Sequence, residues 1–162
     1  MRSQSERACR PANLLIIRLI SCTAPLDAWC EMGHVEVKAT FCNLAEYLEY
    51  KGGRRRLESV RKVESTALVD RGATFPALPE DSAEQLGLPV VDEREAETAE
   101  GIRRVRLAAN SLVQIEDKTA EVLIMIRPKG MIPLIGVTAL EQMGYRVDPV
   151  TGKLVKGLPF MI

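Results

Sequence analysis

The segment Ala67-Leu68-Val69-Asp70-Arg71-Gly72-Ala73-Thr74 places a carboxylate at the end of an apolar run, directly before a glycine-containing turn. A carboxylate presented on such a turn can take and return a proton, the work of a general acid or base. An aspartate before a glycine also has a plain structural use, in which its side chain accepts a backbone N–H and makes the turn. Both uses stay open on this segment alone. Other chemistries have less to stand on. The chain holds one histidine, His34, and four cysteines, Cys9, Cys22, Cys30 and Cys42, with no pair at the spacing of a zinc knuckle or a redox dithiol. No metal site is expected, and a Ser/His or Cys/His nucleophile pair within one chain would have to use His34. Ser59-Val60-Arg61-Lys62 fits a Ser-x-x-Lys spacing, but on a strand an odd offset turns the two side chains to opposite faces.

Whatever Asp70 does, a folded frame has to hold it. With 162 residues, 46% of them hydrophobic, the chain can bury one real core and is too short for two ordinary domains. Its 22 basic and 22 acidic residues cancel, so no global field steers it toward nucleic acid or an anionic membrane. The local runs Arg54-Arg55-Arg56 and Arg103-Arg104 stand close to acidic residues and read as solvated faces. Residues 1–31 read apart from the rest. Their apolar stretch NLLIIRLISC is broken by Arg18 and falls far short of the ~20 residues a membrane span needs. From Met32 the chain changes to strict alternation, with Val35, Val37, Ala39 and Phe41 set against His34, Glu36, Lys38 and Thr40. Residues 1–31 are therefore expected to be an N-terminal extension, disordered or outside the fold, and residues 32–162 a single folded domain.

Within that domain the first strand is expected to form a hairpin, joined around Gly52-Gly53, with a long second strand over residues 57–69. Gly72 supplies a residue tolerant of positive φ for the turn after Asp70, and extended chain resumes from Phe75 to Pro79. PEDSAEQLG reads as a short helix stopped by Gly87, and the acidic run DEREAETAEG as a solvated loop. RRVRLAANSLVQIE alternates on both sides of Asn110-Ser111, the pattern of a hairpin turning there. A further strand, KTAEVLIMI, is followed by extended chain through Gly136 into a helix stopped by Gly144, then by a hairpin over residues 145–155. Met125, Met131 and Met143 read as core filling, and Cys42 as a buried or edge thiol. Seven or eight short strands and two short helices argue a mainly antiparallel β domain.

Taken together, ALVDRGATFPALPEDSAEQLGLP, VRLAANSLVQI and IPLIGVTALEQMGYRVDPVTGKLV resemble the retropepsin-like aspartic proteases, specifically their small single-domain bacterial and archaeal members. The resemblance spans nearly all of residues 32–157 and none of 1–31. It implies a mainly β, closed-barrel acid-protease fold with a short C-terminal helix and one half of an active site per chain. It also implies peptide hydrolysis without metal or cofactor, in the cytoplasm, with a homodimer and an extended peptide as partners and no role for nucleic acid or membrane. Asp70 would be catalytic, one copy from each subunit, because the reaction needs two carboxylates sharing one proton. Gly72 would present its N–H to a catalytic carboxylate, and Ala73 and Thr74 would complete the loop. The hairpin over residues 103–114, with Leu107, Ala108, Ala109, Asn110 and Ser111 toward its tip, would be the flap over the substrate. Leu134, Ile135 and Gly136 would support the catalytic loop from beneath.

Arg71 departs from the pattern, which has Thr or Ser there. Arginine has no acceptor, stays protonated, and two copies near a dimer axis repel. It also favours two ionised carboxylates where one must keep its proton. Arg71 is therefore expected to weaken dimerisation and catalysis unless it turns outward to acidic residues of 92–100. The alternative function is a catalytically inactive dimeric module that holds extended peptides.

Overall fold

The computed structural model describes residues 35–98, 101–148 and 150–157. The expected N-terminal extension and His34 lie outside them. Alternation in the first segment produces β1 (Val35–Asn43), whose inward face ends in the fully buried Phe41. The chain does not turn straight back, as the hairpin expectation had it. Asn43 caps a helix, α1 (Leu44–Lys51), by accepting the Glu46 N–H at 3.2 Å, and Gly52-Gly53 ends that helix rather than joining two strands. A 3-10 turn over Leu57–Ser59 then leads to β2 (Lys62–Val69), shorter than the strand expected from residue 57. The antiparallel pairing of β1 with β2 is nevertheless as expected, in register from Val35 opposite Val69 to Cys42 opposite Lys62.

Beyond Asp70 come β3 (Ala77–Pro79) and α2 (Glu80–Leu86), the helix closed by Gly87 in the left-handed conformation at φ 63°. The acidic run is not a loop. It forms β4 (Val90–Thr98), because the facing strand is basic: Glu93 lies opposite Arg106 and Glu95 opposite Arg104. Opposite charges across a ladder supply the pairing that the local composition lacks.

The largest departure concerns β5 (Gly101–Ile115), a single 15-residue strand where a hairpin was expected. The alternation around Asn110-Ser111 marks a bulge between Ala108 and Ser111, with Asn110 at φ 64°. At the bulge the strand changes partners. Its first part pairs with β4, its second part with β1, and β6 (Lys118–Arg127) runs along both. With β7 (Leu134–Ile135) beside both β2 and β3, the pairings return on themselves in the order β1, β2, β7, β3, β6, β5 and back to β1, with β4 on the outer edge. Inside this ring Phe41, Leu78, Leu86, Val113, Ile124 and Ile135 are fully buried, closed over by α3 (Val137–Met143) through Ala139, Leu140 and Met143. β8 (Tyr145–Val147) and β9 (Leu154–Lys156) form the expected C-terminal hairpin. The protein is mainly β; among the described residues nine strands and three α-helices exceed the seven or eight and two expected. No helix among the described residues is long and apolar enough to cross a membrane.

Asn43 and Glu46 tie the helical insertion to this ring. Asn43 is buried and fully engaged, donating to the Leu86 carbonyl at 2.9 Å while its own oxygen takes N–H groups from Glu46 and Asn110. Glu46 accepts the backbone N–H and the guanidinium Nε of Arg61, each at 2.8 Å. Burial works to raise the Glu46 carboxyl, but the Arg61 bonds outweigh it and hold the group below the ordinary carboxylate range. A depressed carboxylate contributes stability above its unfolded value, and that contribution disappears as pH falls through the folded one. Glu46→Gln is expected to cost about 1–2 kcal/mol at pH 7. In thermal melts the gap from the parent chain should close as the pH is taken down to about 3, below the usual carboxylate range.

Candidate functional site

Asp70 stands one residue past the end of β2, half-buried, with its backbone locked from below. Its N–H donates to the Ile135 carbonyl at 3.0 Å and its own carbonyl accepts the Ala73 N–H at 3.2 Å. Its side-chain Oδ1 accepts the Gly72 N–H at 2.8 Å. That bond fixes the carboxylate and makes the turn, so Gly72 does its part through its N–H; it is not at positive φ, contrary to the expectation. Ala73 is buried and Thr74 exposed, with the Thr74 carbonyl accepting both the N–H and the Oγ1 hydroxyl of Thr138, at 3.1 and 2.8 Å.

Leu134, Ile135 and Gly136 lie where a support for this loop has to lie. β7 runs parallel to the end of β2, Leu134 beside Leu68 and Ile135 beside Val69, and both of its residues are buried. Bonds continue on either side: Leu68 N–H to the Pro133 carbonyl at 2.9 Å, and Val137 N–H to the Ala73 carbonyl at 2.8 Å. Gly136 is held so tightly that a Cβ on it would come within 2.4 Å of the Phe75 carbonyl carbon and 2.8 Å of the Ala73 carbonyl oxygen. The glycine is there for room, with ordinary extended backbone at φ −87°.

Arg71 is exposed and, among the described residues, makes no hydrogen bond or ion pair. The acidic residues that could have received it have nearer partners, Asp92 with Arg94 at 2.5 Å and Glu93 with Arg104 at 3.6 Å. Among the described residues no hydrogen bond or ion pair joins Asp70 to a second carboxylate. Asp117 bonds Lys156 and Asp148 closes the last hairpin, each held below the ordinary carboxylate range, chiefly by its side-chain bond to Lys156 and to Thr151 respectively.

The expected flap tip is a correction. Leu107, Ala108 and Ser111 are buried in β5, with Ser111 Oγ donating to the Val122 carbonyl. Asn110 is an anchor: its Oδ1 accepts the Ala45 N–H at 2.9 Å and its Nδ2 donates to Asn43. Ala109 gives its N–H to the Pro89 carbonyl. The β4–β5 pairing instead ends with Thr98 opposite Gly101, and Ile102 beside that end is strongly exposed. The signal was Gly101 between the acidic run and Arg103-Arg104; the alternation at Asn110-Ser111 masked it. Of the methionines, Met143 fills the core as expected, while Met125 and Met131 are only half-buried and line an open groove. Cys42 is the expected buried thiol, its pKa pushed up by burial. No cluster of metal-binding side chains occurs among the described residues.

A family model described as gag-polyprotein putative aspartyl protease matches residues 59–142, a stretch that contains the Asp70 turn, all of β3 to β7 and nearly all of α3. No curated protein matches the chain.

Because Gly136 faces backbone rather than the end of a flexible side chain, Gly136→Ala cannot be relieved by a rotamer change. Chemical denaturation is expected to show a loss of about 3 kcal/mol. Ala109→Gly, on the half-buried strand away from that contact, is expected to cost about 1 kcal/mol at most.

Proposed function

The chain belongs to the aspartyl protease family of gag polyproteins, and from that membership we propose that it is an aspartic endopeptidase acting as a homodimer, with Asp70 of each subunit in one site. What carries this reading is the geometry at Asp70: a carboxylate fixed by the Gly72 N–H at the end of an apolar strand, on a loop strapped to β7, Gly136 and α3. A turn-forming aspartate needs only the first of these; the strap is what a group that must hold its position through a reaction requires. The folded unit in this proposal is residues 32–162.

One Asp70 carboxylate, ionised, takes a proton from water as the water oxygen attacks the peptide carbonyl carbon. The other, protonated, gives its proton to the carbonyl oxygen. The tetrahedral intermediate collapses as the carboxyl that took the water's proton gives it to the nitrogen, the C–N bond breaks, and a hydroxyl proton of the diol returns to the other carboxylate, restoring the one shared proton. Two carboxylates sharing one proton require each other's proximity, and a single chain supplies only one, hence the twofold dimer. The β4–β5 arm, whose pairing ends with Thr98 opposite Gly101, takes the part of the flap, and an extended substrate would lie beneath it with main-chain hydrogen bonds.

Arg71 favours a second reading, a peptide-binding module that does not cut, because its guanidinium has no acidic partner within the described chain to neutralise it beside the site. The two readings separate in cleavage of an unfolded protein substrate from acidic to neutral pH, with dimerisation followed by sedimentation. Asp70→Asn is expected to lower the rate at least about 10²-fold, and Arg71→Thr to raise it while tightening the dimer. Absence of cleavage by both the parent chain and Arg71→Thr, with dimers intact, would establish the binding module instead.

A further inference from the structure

Helix α3 opens without a side-chain cap. Gly136 holds its N-cap position, and the close approach to Phe75 and Ala73 that forces a glycine there also denies the helix a side chain to accept its first N–H groups. The Asp70 loop takes over that task. The Ala73 carbonyl accepts the Val137 N–H at 2.8 Å and the Thr74 carbonyl accepts the Thr138 N–H at 3.1 Å. A loop thus caps a helix that lies 64 residues further along the chain.

Thr138 adds a side-chain bond to these two backbone bonds. Its Oγ1 hydroxyl donates to the same Thr74 carbonyl at 2.8 Å, so one oxygen receives two donors from one residue. A β-branched side chain in a helix has few χ1 rotamers to lose, and a hydroxyl held on it gives up little entropy. Both ends of the loop are thereby pinned: the Asp70 N–H by the Ile135 carbonyl at its start, and the Thr74 carbonyl by Thr138 at its finish. Between them the turn is closed by the Ala73 N–H on the Asp70 carbonyl and by the Gly72 N–H on Oδ1. A displacement of Thr74 is passed to the carboxylate through a turn of this tightness, with no flexible segment to absorb it.

We propose that Thr138 is a positioning residue for the Asp70 carboxylate: its hydroxyl clamps the Thr74 carbonyl and keeps the turn in the geometry from which Asp70 reacts. The clamp rests on the bonds of this chain alone; its kinetic effect rests on the endopeptidase reading. Thr138 acts through Thr74 and takes no part in the proton transfers. Misplacing a reacting group by about 1 Å costs up to about 10²-fold in rate. Because the contacts that hold the rest of an extended substrate are untouched, the loss falls on kcat rather than on KM.

The test compares the full chain with Thr138→Val, which keeps the branched shape and the backbone bond but loses the hydroxyl, and with Thr138→Ser, which keeps the hydroxyl. Each is made in the parent chain and in the Arg71→Thr chain. Cleavage of a fluorescence-quenched unfolded protein gives kcat and KM, and native-state amide exchange followed by NMR reports on Gly72 and Ala73. Thr138→Val is expected to lower kcat about tenfold with KM nearly unchanged. Exchange at Gly72 and Ala73 should quicken about tenfold, the worth of one hydrogen bond, while β1 and β5 keep the parent rates. Thr138→Ser should restore both. A rise in KM alone, faster exchange throughout the chain, or no rescue by serine would overturn the clamp. Local exchange that quickens in valine and recovers in serine, in chains that do not cut in either background, keeps the clamp and removes the peptidase reading; cleavage with kcat and exchange unaltered in Thr138→Val does the reverse.

Discussion

Everything at the candidate site depends on one backbone strap. Residues 68–74 and 133–138 are joined by main-chain bonds from Leu68 to Pro133, Asp70 to Ile135, Ala73 to Val137 and Thr74 to Thr138, and Gly136 lies against Phe75 with no space for a side chain. An aspartate on a free turn samples many positions, and ordering it costs conformational entropy. Here the cost is met by packing that the fold needs anyway, because Leu134 and Ile135 are buried in the core on their other side. The carboxylate is thus positioned by the same contacts that close the sheet. The candidate site and the core share residues at this point, and a change at Gly136 reaches both.

The ring of strands makes that strap possible, and the ring depends on β5. Part-way along its length β5 changes neighbours, from β4 at the outer edge of the sheet to β1, which closes the ring. The bulge at residues 108–111 bends it, and the Asn43–Asn110 pair pins the bend to the start of α1. Buried amides are expensive unless satisfied, and both are: Asn43 reaches Leu86 and Glu46, Asn110 reaches Ala45. A polar contact has become the joint between the helical insertion and the sheet.

Charge is arranged by the same logic of facing partners. The net charge of the chain is +0, and acidic β4 lies against basic β5. Arg71 stands outside these pairings, exposed beside the one carboxylate of the site. In the proposed dimer it would act where the two chains meet, since a like charge brought to a shared axis repels whatever the monomer's own balance.

Local pattern was enough for those features whose cause is local. Alternation from Val35, the glycine stops after α2 and α3, the turn at Asp70 and the C-terminal hairpin all follow from residue periodicity and turn chemistry acting over a few positions. The Asp70 turn and its distant support at residues 134–136 were legible together because the family resemblance linked them. What only the tertiary structure decided has a common physical origin. The acidic run became β4 because a basic strand faces it; the alternation around Asn110 became a bulged strand because β1 waits on the other side. Residues 44–51 became a helix where the pattern suggested a turn, through a cap that also binds Leu86 and Asn110. For the bulge and the helix cap the deciding partners lie tens of residues away; for β4 the basic residues are close in sequence, and only the pairing of the two strands makes them its partners.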